Sequence, residues 1–156
     1  MITATGVMDN EEVYRLHARE LTEYATTLVG PFDAADVVTA ACLRAFRSKG
    51  WPSVDNRRAY LYRTVLSVAN DHHRSTLSRR IREMKAAPRD EVPPVEVDFD
   101  VLRAVERLSV QQRSAVYLTY WADLTPDEVA YRMGVSTGTV KRHLARARKR
   151  LGEWLA

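Results

Sequence analysis

The chain of 156 residues contains one cysteine, six glycines and no long hydrophobic run. With Cys42 alone, neither an internal disulfide nor a cysteine-built zinc site can form. Six glycines leave little material for a phosphate-cradling loop, and no Ser/His/Asp set or pair of catalytic carboxylates stands out. The sequence therefore predicts a protein that is not an enzyme and that needs no cofactor.

No apolar run approaches the ~18 residues that a membrane-spanning helix needs. The first twelve residues are acidic and lack the basic and apolar segments of a signal peptide. The chain is 46% hydrophobic and 28% charged, which is typical of a folded protein. We therefore expect a cytoplasmic protein without membrane contact.

Charge is unevenly distributed along the chain. Residues 1–82 carry twelve basic and nine acidic side chains, whereas residues 101–156 carry ten and five. Between them, residues 83–100 have two basic and six acidic side chains and three prolines. This pattern predicts two modules facing polyanions, 10–82 and 101–156, joined by the flexible linker 83–100, although a modest positive charge also serves solubility.

Hydrophobic residues recur with helical spacing, and strand-like alternation is missing, so the fold class is predicted as all-α with two small helical domains. The stripe Val13, Leu16, Tyr24 and Leu28 indicates a first helix that ends before Gly30. Further helices are expected at 34–47 and 57–82, then at 101–108 and 111–121, followed by two more.

The last thirty residues have the pattern of a helix-turn-helix. Thr125 and Glu128 predict a capping box, with Pro126 at the first helical position. Gly134 lies where a tight turn needs positive φ, and Ser136 can cap the next helix.

A helical wheel of that last helix separates an apolar arc from a basic arc. The apolar arc contains Val140, Leu144, Ala147 and Leu151, and the opposite arc contains Gly138, Arg142, Ala145, Arg146 and Lys149. We interpret it as a recognition helix in the DNA major groove, with Arg142 and Arg146 contacting bases. Phosphate contacts are expected from Thr137, Thr139, Lys141 and Arg148. The alternative is a solvated basic face on a terminal helix.

The helix before the linker has a second polar arc, which contains Arg63, Ser67, Asn70 and Arg74. Trp51, Tyr60 and Tyr62 place aromatic rings beside these arginines, a combination that suits single-stranded nucleic acid. The alternative is that Trp51 and Tyr62 are core residues. His72 and His73 are adjacent on a helix and cannot chelate one ion well, so no metal site is expected, and His72 is predicted to lie in the core.

Residues 104–113, 124–130 and 135–148 resemble region 4 of bacterial RNA polymerase sigma factors, most of all the extracytoplasmic-function (ECF) group. Residues 33–38 resemble region 2.2 of the family, and the segments 59–63 and 70–74 resemble regions 2.3 and 2.4. The resemblance implies a factor that binds core RNA polymerase and directs transcription initiation at specific promoters.

The resemblance also implies a division of labour among the residues. Contacts with the clamp helices of the largest polymerase subunit fall to Asp36, Val37, Val38, Arg44 and Arg47. Capture and melting of the promoter minus-ten element fall to Trp51, Asn56, Tyr60, Arg63, Asn70 and Arg74. Duplex binding at the minus-thirty-five element falls to Ser136, Thr137, Thr139, Lys141, Arg142, Ala145, Arg146, Arg148 and Lys149.

Further partners implied by the resemblance are the flap of the second-largest subunit and an anti-sigma factor, and the bound protein would be nucleoid-associated. Thr39 and Ala40 stand where the family usually has Gln-Glu, which removes two polar contacts to polymerase. Two alternatives remain besides a sigma factor: a dimeric stand-alone regulator, and a sigma-like decoy that titrates polymerase or an anti-sigma factor. A nuclease is a more distant alternative, because no acidic metal cluster faces the basic surfaces.

Overall fold

The computed structural model describes residues 9–86 and 105–155, and every regular element in these ranges is helical. The helices are α1 (Asn10–Val29), α2 (Ala34–Arg47), α3 (Arg57–Ala86), α4 (Val110–Val116), α5 (Pro126–Met133) and α6 (Thr137–Leu155). A single 3₁₀ turn, Trp51–Ser53, precedes α3, and a π-helical segment, Tyr117–Trp121, continues α4. The prediction of an all-α fold is confirmed.

Helices α1, α2 and α3 form the N-terminal lobe. The Asp9 side chain caps α1 by accepting from the Glu12 backbone N–H at 2.8 Å, and Gly30 ends the helix with φ of +89°. Leu61 and Val65 of α3 are fully buried against the other two helices. Burial of such side chains stabilises the fold by roughly 1.5–3 kcal/mol each.

Two predictions for this lobe need correction, one about a buried residue and one about where a helix ends. Leu16 was expected on the buried stripe of α1 but is 60% exposed. Helix α3 continues to Ala86, so residues 83–86, predicted as linker, are helical. These four residues are good helix formers, and the first proline comes only at Pro88. The rest of the predicted linker, and residues 101–104 of the next predicted helix, lie outside the described residues.

Helices α4, α5 and α6 form the C-terminal lobe. Ser109 and Gln112 cap α4 reciprocally, with two backbone-to-side-chain hydrogen bonds of 3.1 Å each. The π-helical segment then widens the last turn, and it leaves Tyr120 and Trp121 exposed beside the helix-turn-helix.

The two lobes pack directly on each other through a surface that we call the interlobe contact, formed by α1 and α3 on one side and α4 and α5 on the other. The hydroxyl of Tyr24 shares a buried 2.5 Å hydrogen bond with that of Ser114. The Arg113 guanidinium donates to the carbonyl oxygen of Leu28, at the end of α1, at 2.8 Å. One continuous hydrophobic core therefore runs through both lobes.

Candidate nucleic-acid interface

The local geometry of α5, the turn and α6 is that of a helix-turn-helix. The Thr125 hydroxyl accepts from the Glu128 backbone N–H at 3.3 Å, and Gly134 adopts the left-handed conformation with φ of +71°. The Ser136 hydroxyl accepts from the Thr139 backbone N–H at 3.1 Å and so caps α6. One detail differs from the prediction: the Glu128 carboxylate accepts from the Thr125 hydroxyl, not from the Thr125 backbone.

The two arcs predicted for α6 are confirmed. Val140, Leu144 and Ala147 are buried against the rest of the C-terminal lobe, and Leu151, at the end of the predicted apolar arc, is half-buried. The opposite face is exposed, and it contains Gly138, Arg142, Ala145, Arg146 and Lys149. Lys141 and Arg148 are also exposed, whereas Thr137 and Thr139 are half-buried near the N-terminus of the helix. The structure therefore brings the predicted duplex-binding set together on one basic helix and its N-cap residue, Ser136.

Hydrogen bonds hold two of these arginines near the helix surface. Arg142 Nη2 donates to the Thr139 hydroxyl at 3.1 Å, and Arg148 Nη2 donates to the Tyr120 hydroxyl at 2.6 Å. Burial lowers the pKa of the neighbouring His143, and the charges of Arg146 and Arg142 lower it further. Sequence reasoning missed the contact of Tyr120 with Arg148, because the two residues are 28 positions apart.

The residues predicted to bind the minus-ten element are placed less uniformly. Asn56 is exposed and caps α3, since its side-chain oxygen accepts from the Ala59 backbone N–H at 3.0 Å. Asn70 and Tyr60 are half-buried, and Arg74 is exposed. Arg63 is exposed too, but it reaches across to the other lobe, where its Nε donates to the Tyr131 carbonyl oxygen at 2.7 Å.

Trp51 requires a correction, because its side chain is only 3% exposed. Its Nε1 donates to the Asn10 side chain at 2.8 Å, and its ring contacts those of Phe46 and Tyr60, with centroids 5.2 Å and 5.6 Å away. A ring enclosed in this way cannot stack on a base. Tyr62 is also buried, and burial raises its pKa to about 12. The alternative interpretation of both residues as core is therefore the correct one in this arrangement.

The predicted polymerase-binding set is likewise divided. Val37 and Val38 are each 2% exposed, so the expectation that they contact a partner directly is corrected: they pack α2 onto the core. Asp36, Arg44 and Arg47 are exposed on the outer face of α2. Arg44 lies 3.5 Å from the carboxylate of Asp71 on α3, an ion pair in which both side chains are more than half exposed.

His72 also departs from the prediction. It is half-buried, and its Nε2 lies 3.2 Å from the Asp33 carboxylate, so it joins α3 to the start of α2.

Within residues 9–86 and 105–155, no group of three or more His, Cys, Asp or Glu side chains could hold a metal ion. No single helix in these ranges is long and apolar enough to cross a membrane. Helices α1 and α2 taken together would be long and apolar enough, but the pair is bent by 119° where the two helices meet.

Comparisons with known proteins bear on this basic helix-turn-helix. A family model described as sigma-70, region 4 matches residues 98–151, which include α4, α5 and most of α6. The RNA polymerase sigma-E factor of Streptomyces coelicolor is 31% identical over 156 residues, covering 96% of this chain and 87% of that protein. The ECF RNA polymerase sigma factor SigM of Mycobacterium tuberculosis is 33% identical over 154 residues, covering 93% and 76%. The chain belongs to the ECF group of RNA polymerase sigma factors.

Solved structures have the same fold as this ECF sigma factor. The sigma factor RpoE of Bartonella quintana, in complex with the anti-sigma factor NepR, has a TM-score of 0.62 at 24% identity, covering 96% of this chain and 98% of that one. CnrH, in complex with the cytosolic domain of CnrY, has a TM-score of 0.63 at 21% identity, covering 94% and 86%. The relatives of this sigma factor are transcription initiation factors, and its α5 and α6 are the DNA-binding helix-turn-helix of region 4.

Proposed function

We propose that this ECF sigma factor binds core RNA polymerase and directs initiation at promoters that it recognises through a minus-ten and a minus-thirty-five element. The observation that carries the proposal is the exposed basic face of α6, on which Arg142 and Arg146 lie one turn apart with the small residue Ala145 beside them. Each well-formed arginine–base pair contributes about 1–3 kcal/mol of discrimination between base pairs.

In this proposal the duplex minus-thirty-five element lies along α6. Arg142, Ala145 and Arg146 face the bases, and the flanking hydroxyl and basic side chains contact phosphates. These flanking residues are Ser136, Thr137, Thr139, Lys141, Arg148 and Lys149. The basic side chains make a sequence-independent contribution that weakens as salt increases.

The minus-ten element is assigned to the polar side of α3 and its N-terminal cap, with Asn56, Tyr60, Arg63, Asn70 and Arg74 as contacts. Trp51 is left out of this set, because its side chain is buried in the hydrophobic core. Polymerase binding is assigned to the exposed side chains of α2, namely Asp36, Arg44 and Arg47. Val37 and Val38 pack α2 onto the core. The chain would act in the cytoplasm, with polymerase at the nucleoid.

An anti-sigma factor is included among the proposed partners. RpoE is in complex with the anti-sigma factor NepR, and CnrH is in complex with the cytosolic domain of CnrY. A decoy is the second candidate function. It is favoured by the exposed residues Thr39 and Ala40 on α2, which offer polymerase fewer polar groups than the Gln-Glu usual in the family.

Run-off transcription with core polymerase on fragments of the host genome tests the proposal. We expect transcripts from a subset of promoters that share two upstream elements. Arg146→Ala should change which promoters are used, whereas Arg19→Ala, a control at an arginine of α1 whose side chain is 94% exposed, should not. Polymerase binding without any transcript would indicate the decoy, and absence of both would refute the proposed function.

A further inference from the structure

Tyr120 belongs to the π-helical segment that continues α4, and its side chain is 55% exposed. In this segment the Ala122 backbone N–H donates to the Tyr117 carbonyl oxygen, five residues back, at 3.0 Å. Such a turn is wider than an α-helical turn, and turns of this kind are frequent at functional sites. Leu118 stays fully buried in the segment, whereas Tyr120 reaches outward to α6.

The Tyr120 hydroxyl holds the side chain of Arg148 on α6. Arg148 Nη2 donates to this hydroxyl at 2.6 Å, and both residues are exposed. A phenol accepts through its oxygen and donates through one hydrogen. Because Arg148 acts as the donor in this bond, the hydroxyl hydrogen is left over, and within residues 9–86 and 105–155 no group accepts it. The pair therefore has donors to offer to an outside acceptor.

The partner of Arg148 is neutral, and this leaves the charge of the arginine uncompensated. Arg58 of α3, in contrast, is paired with the Glu20 carboxylate at 2.6 Å. In the described part of the chain, no carboxylate forms an ion pair with Arg148. A carboxylate would fix the guanidinium and also compete with a phosphate for it, whereas a phenol fixes it and keeps it available. The arrangement thus suits an anionic ligand.

Arg148 lies on one edge of the basic face of α6. It follows Lys141 by seven residues, or about two helical turns, so the two cations lie on the same edge, ~10 Å apart along the helix axis. The edge borders the arc of Arg142, Ala145 and Arg146, which the proposed function places against the bases. An anion at this edge of a major-groove helix is a phosphate of the DNA backbone, beside the bases that are read.

We propose that Tyr120 and Arg148 bind one backbone phosphate together, with Tyr120 both positioning the guanidinium and donating its own hydroxyl hydrogen. This inference rests on the proposed function, because it extends the duplex-binding surface from α6 to the π-helical segment Tyr117–Trp121. Phosphate contacts fix the register and orientation of a protein on the duplex without reading sequence. A wide turn 28 residues before the arginine thus contributes to the orientation of α6 in the groove.

Fluorescence anisotropy with the full chain and a mixed-sequence duplex tests the proposal, because a phosphate contact does not require the promoter sequence. The variants are Tyr120→Phe, which removes only the hydroxyl, Arg148→Ala, and the two combined. Tyr14→Phe is the matched control, since Tyr14 is a 40% exposed tyrosine of α1. Arg19→Ala controls for the loss of a positive charge, and its side chain is 94% exposed.

At low salt, we expect Arg148→Ala to weaken duplex binding about 10-fold and Tyr120→Phe about 4-fold. The double variant should lose about 10- to 15-fold, less than the product of about 40-fold for independent contacts, because both residues act on one phosphate. Arg148→Ala should also reduce the slope of log affinity against log salt by about 0.9. The two controls should change affinity by less than about 1.5-fold.

A readout of stability separates positioning from a structural role. Tyr120 is exposed, so Tyr120→Phe should keep Tm within about 2 °C of the wild type. A larger decrease in Tm that accompanies the loss of affinity would make Tyr120 a packing residue and refute its assignment to the phosphate.

A loss of about 40-fold in the double variant would show two independent contacts and would overturn the proposal. Unchanged duplex affinity of Tyr120→Phe would overturn it as well; if that variant then bound core polymerase more weakly, Tyr120 would belong to a protein interface instead. A wild-type chain without duplex affinity at low salt would also contradict it. The proposed function fails differently, through the absence of transcripts with core polymerase, and that result does not depend on these titrations.

Discussion

Replacement of Arg113 by alanine should destabilise the protein far more than replacement of any arginine on its surface. Arg113 is 9% exposed, and its guanidinium donates to three backbone carbonyl oxygens: those of Leu28 at 2.8 Å, Val105 at 3.0 Å and Glu106 at 2.6 Å. Burial lowers the pKa of Arg113, but an arginine remains charged at neutral pH. One buried cation therefore joins the end of α1 to the segment before α4.

The magnitude follows from these three bonds. A hydrogen bond to a charged group contributes about 1.5–3 kcal/mol, and the bond to Leu28 is buried, so its loss should cost the full amount. The other two bonds are partly buried, and water can replace the guanidinium there, at roughly 0.5–1 kcal/mol each. The total loss in the free energy of unfolding is about 2.5–5 kcal/mol.

Urea denaturation followed by circular dichroism measures this loss, and thermal denaturation should show a decrease in Tm of about 10 °C for a chain of this size. Arg113→Lys keeps the charge but cannot reach three carbonyl groups at once, so it should lie between the wild type and Arg113→Ala. Arg15→Ala is the control, because the Arg15 side chain is 74% exposed. A loss below about 0.5 kcal/mol for Arg113→Ala, within the range of surface substitutions, would refute the reasoning.

Three further predictions concern the turn, the recognition helix and pH. Gly134→Ala should reduce the free energy of unfolding by about 1 kcal/mol, because φ there is +71°, whereas Gly152→Ala in the open part of α6 should raise it slightly in the same urea titration. Arg146→Ala should relax selectivity at one base position by about 1–3 kcal/mol in competition binding to duplex variants, and an unchanged profile would contradict the assigned face. Burial lowers the pKa values of His17 and His143 in the folded chain, so stability should fall as pH decreases below about 6.5, because the unfolded chain binds more protons. Replacing both histidines by glutamine should flatten that pH dependence in urea titrations at several pH values; an equally steep curve would contradict it.

The helix-turn-helix was predictable from the sequence in detail. Its determinants act over four residues or fewer: the Thr125 cap, the positive φ of Gly134, the Ser136 cap and the helical spacing of Val140 and Leu144. Such local rules do not depend on the rest of the fold. The basic face of α6 was predictable for the same reason, because a helix with one buried arc must expose the opposite one.

For aromatic and aliphatic residues near charged ones, the sequence did not decide between a place in the core and a place on a binding surface. Trp51, Val37 and Val38 suit a binding surface and a core equally well by composition. The choice depends on which neighbours enclose them, and Phe46 and Tyr60 enclose Trp51. The resemblance to a family assigned roles to whole segments but did not distinguish the residues that lie exposed on those segments from the residues that are buried beneath them.

By itself the sequence determined that the chain is helical, that its last helix is basic on one face and that this helix begins after a glycine turn. Only the tertiary structure decided that the lobes pack together, that Arg113 binds the end of α1 and that α5 holds Arg63. The physical reason is distance along the chain. Tyr131 lies 68 residues from Arg63 and Leu28 lies 85 residues from Arg113, and packing of the whole chain, not the pattern of any segment, brings each pair within hydrogen-bond range.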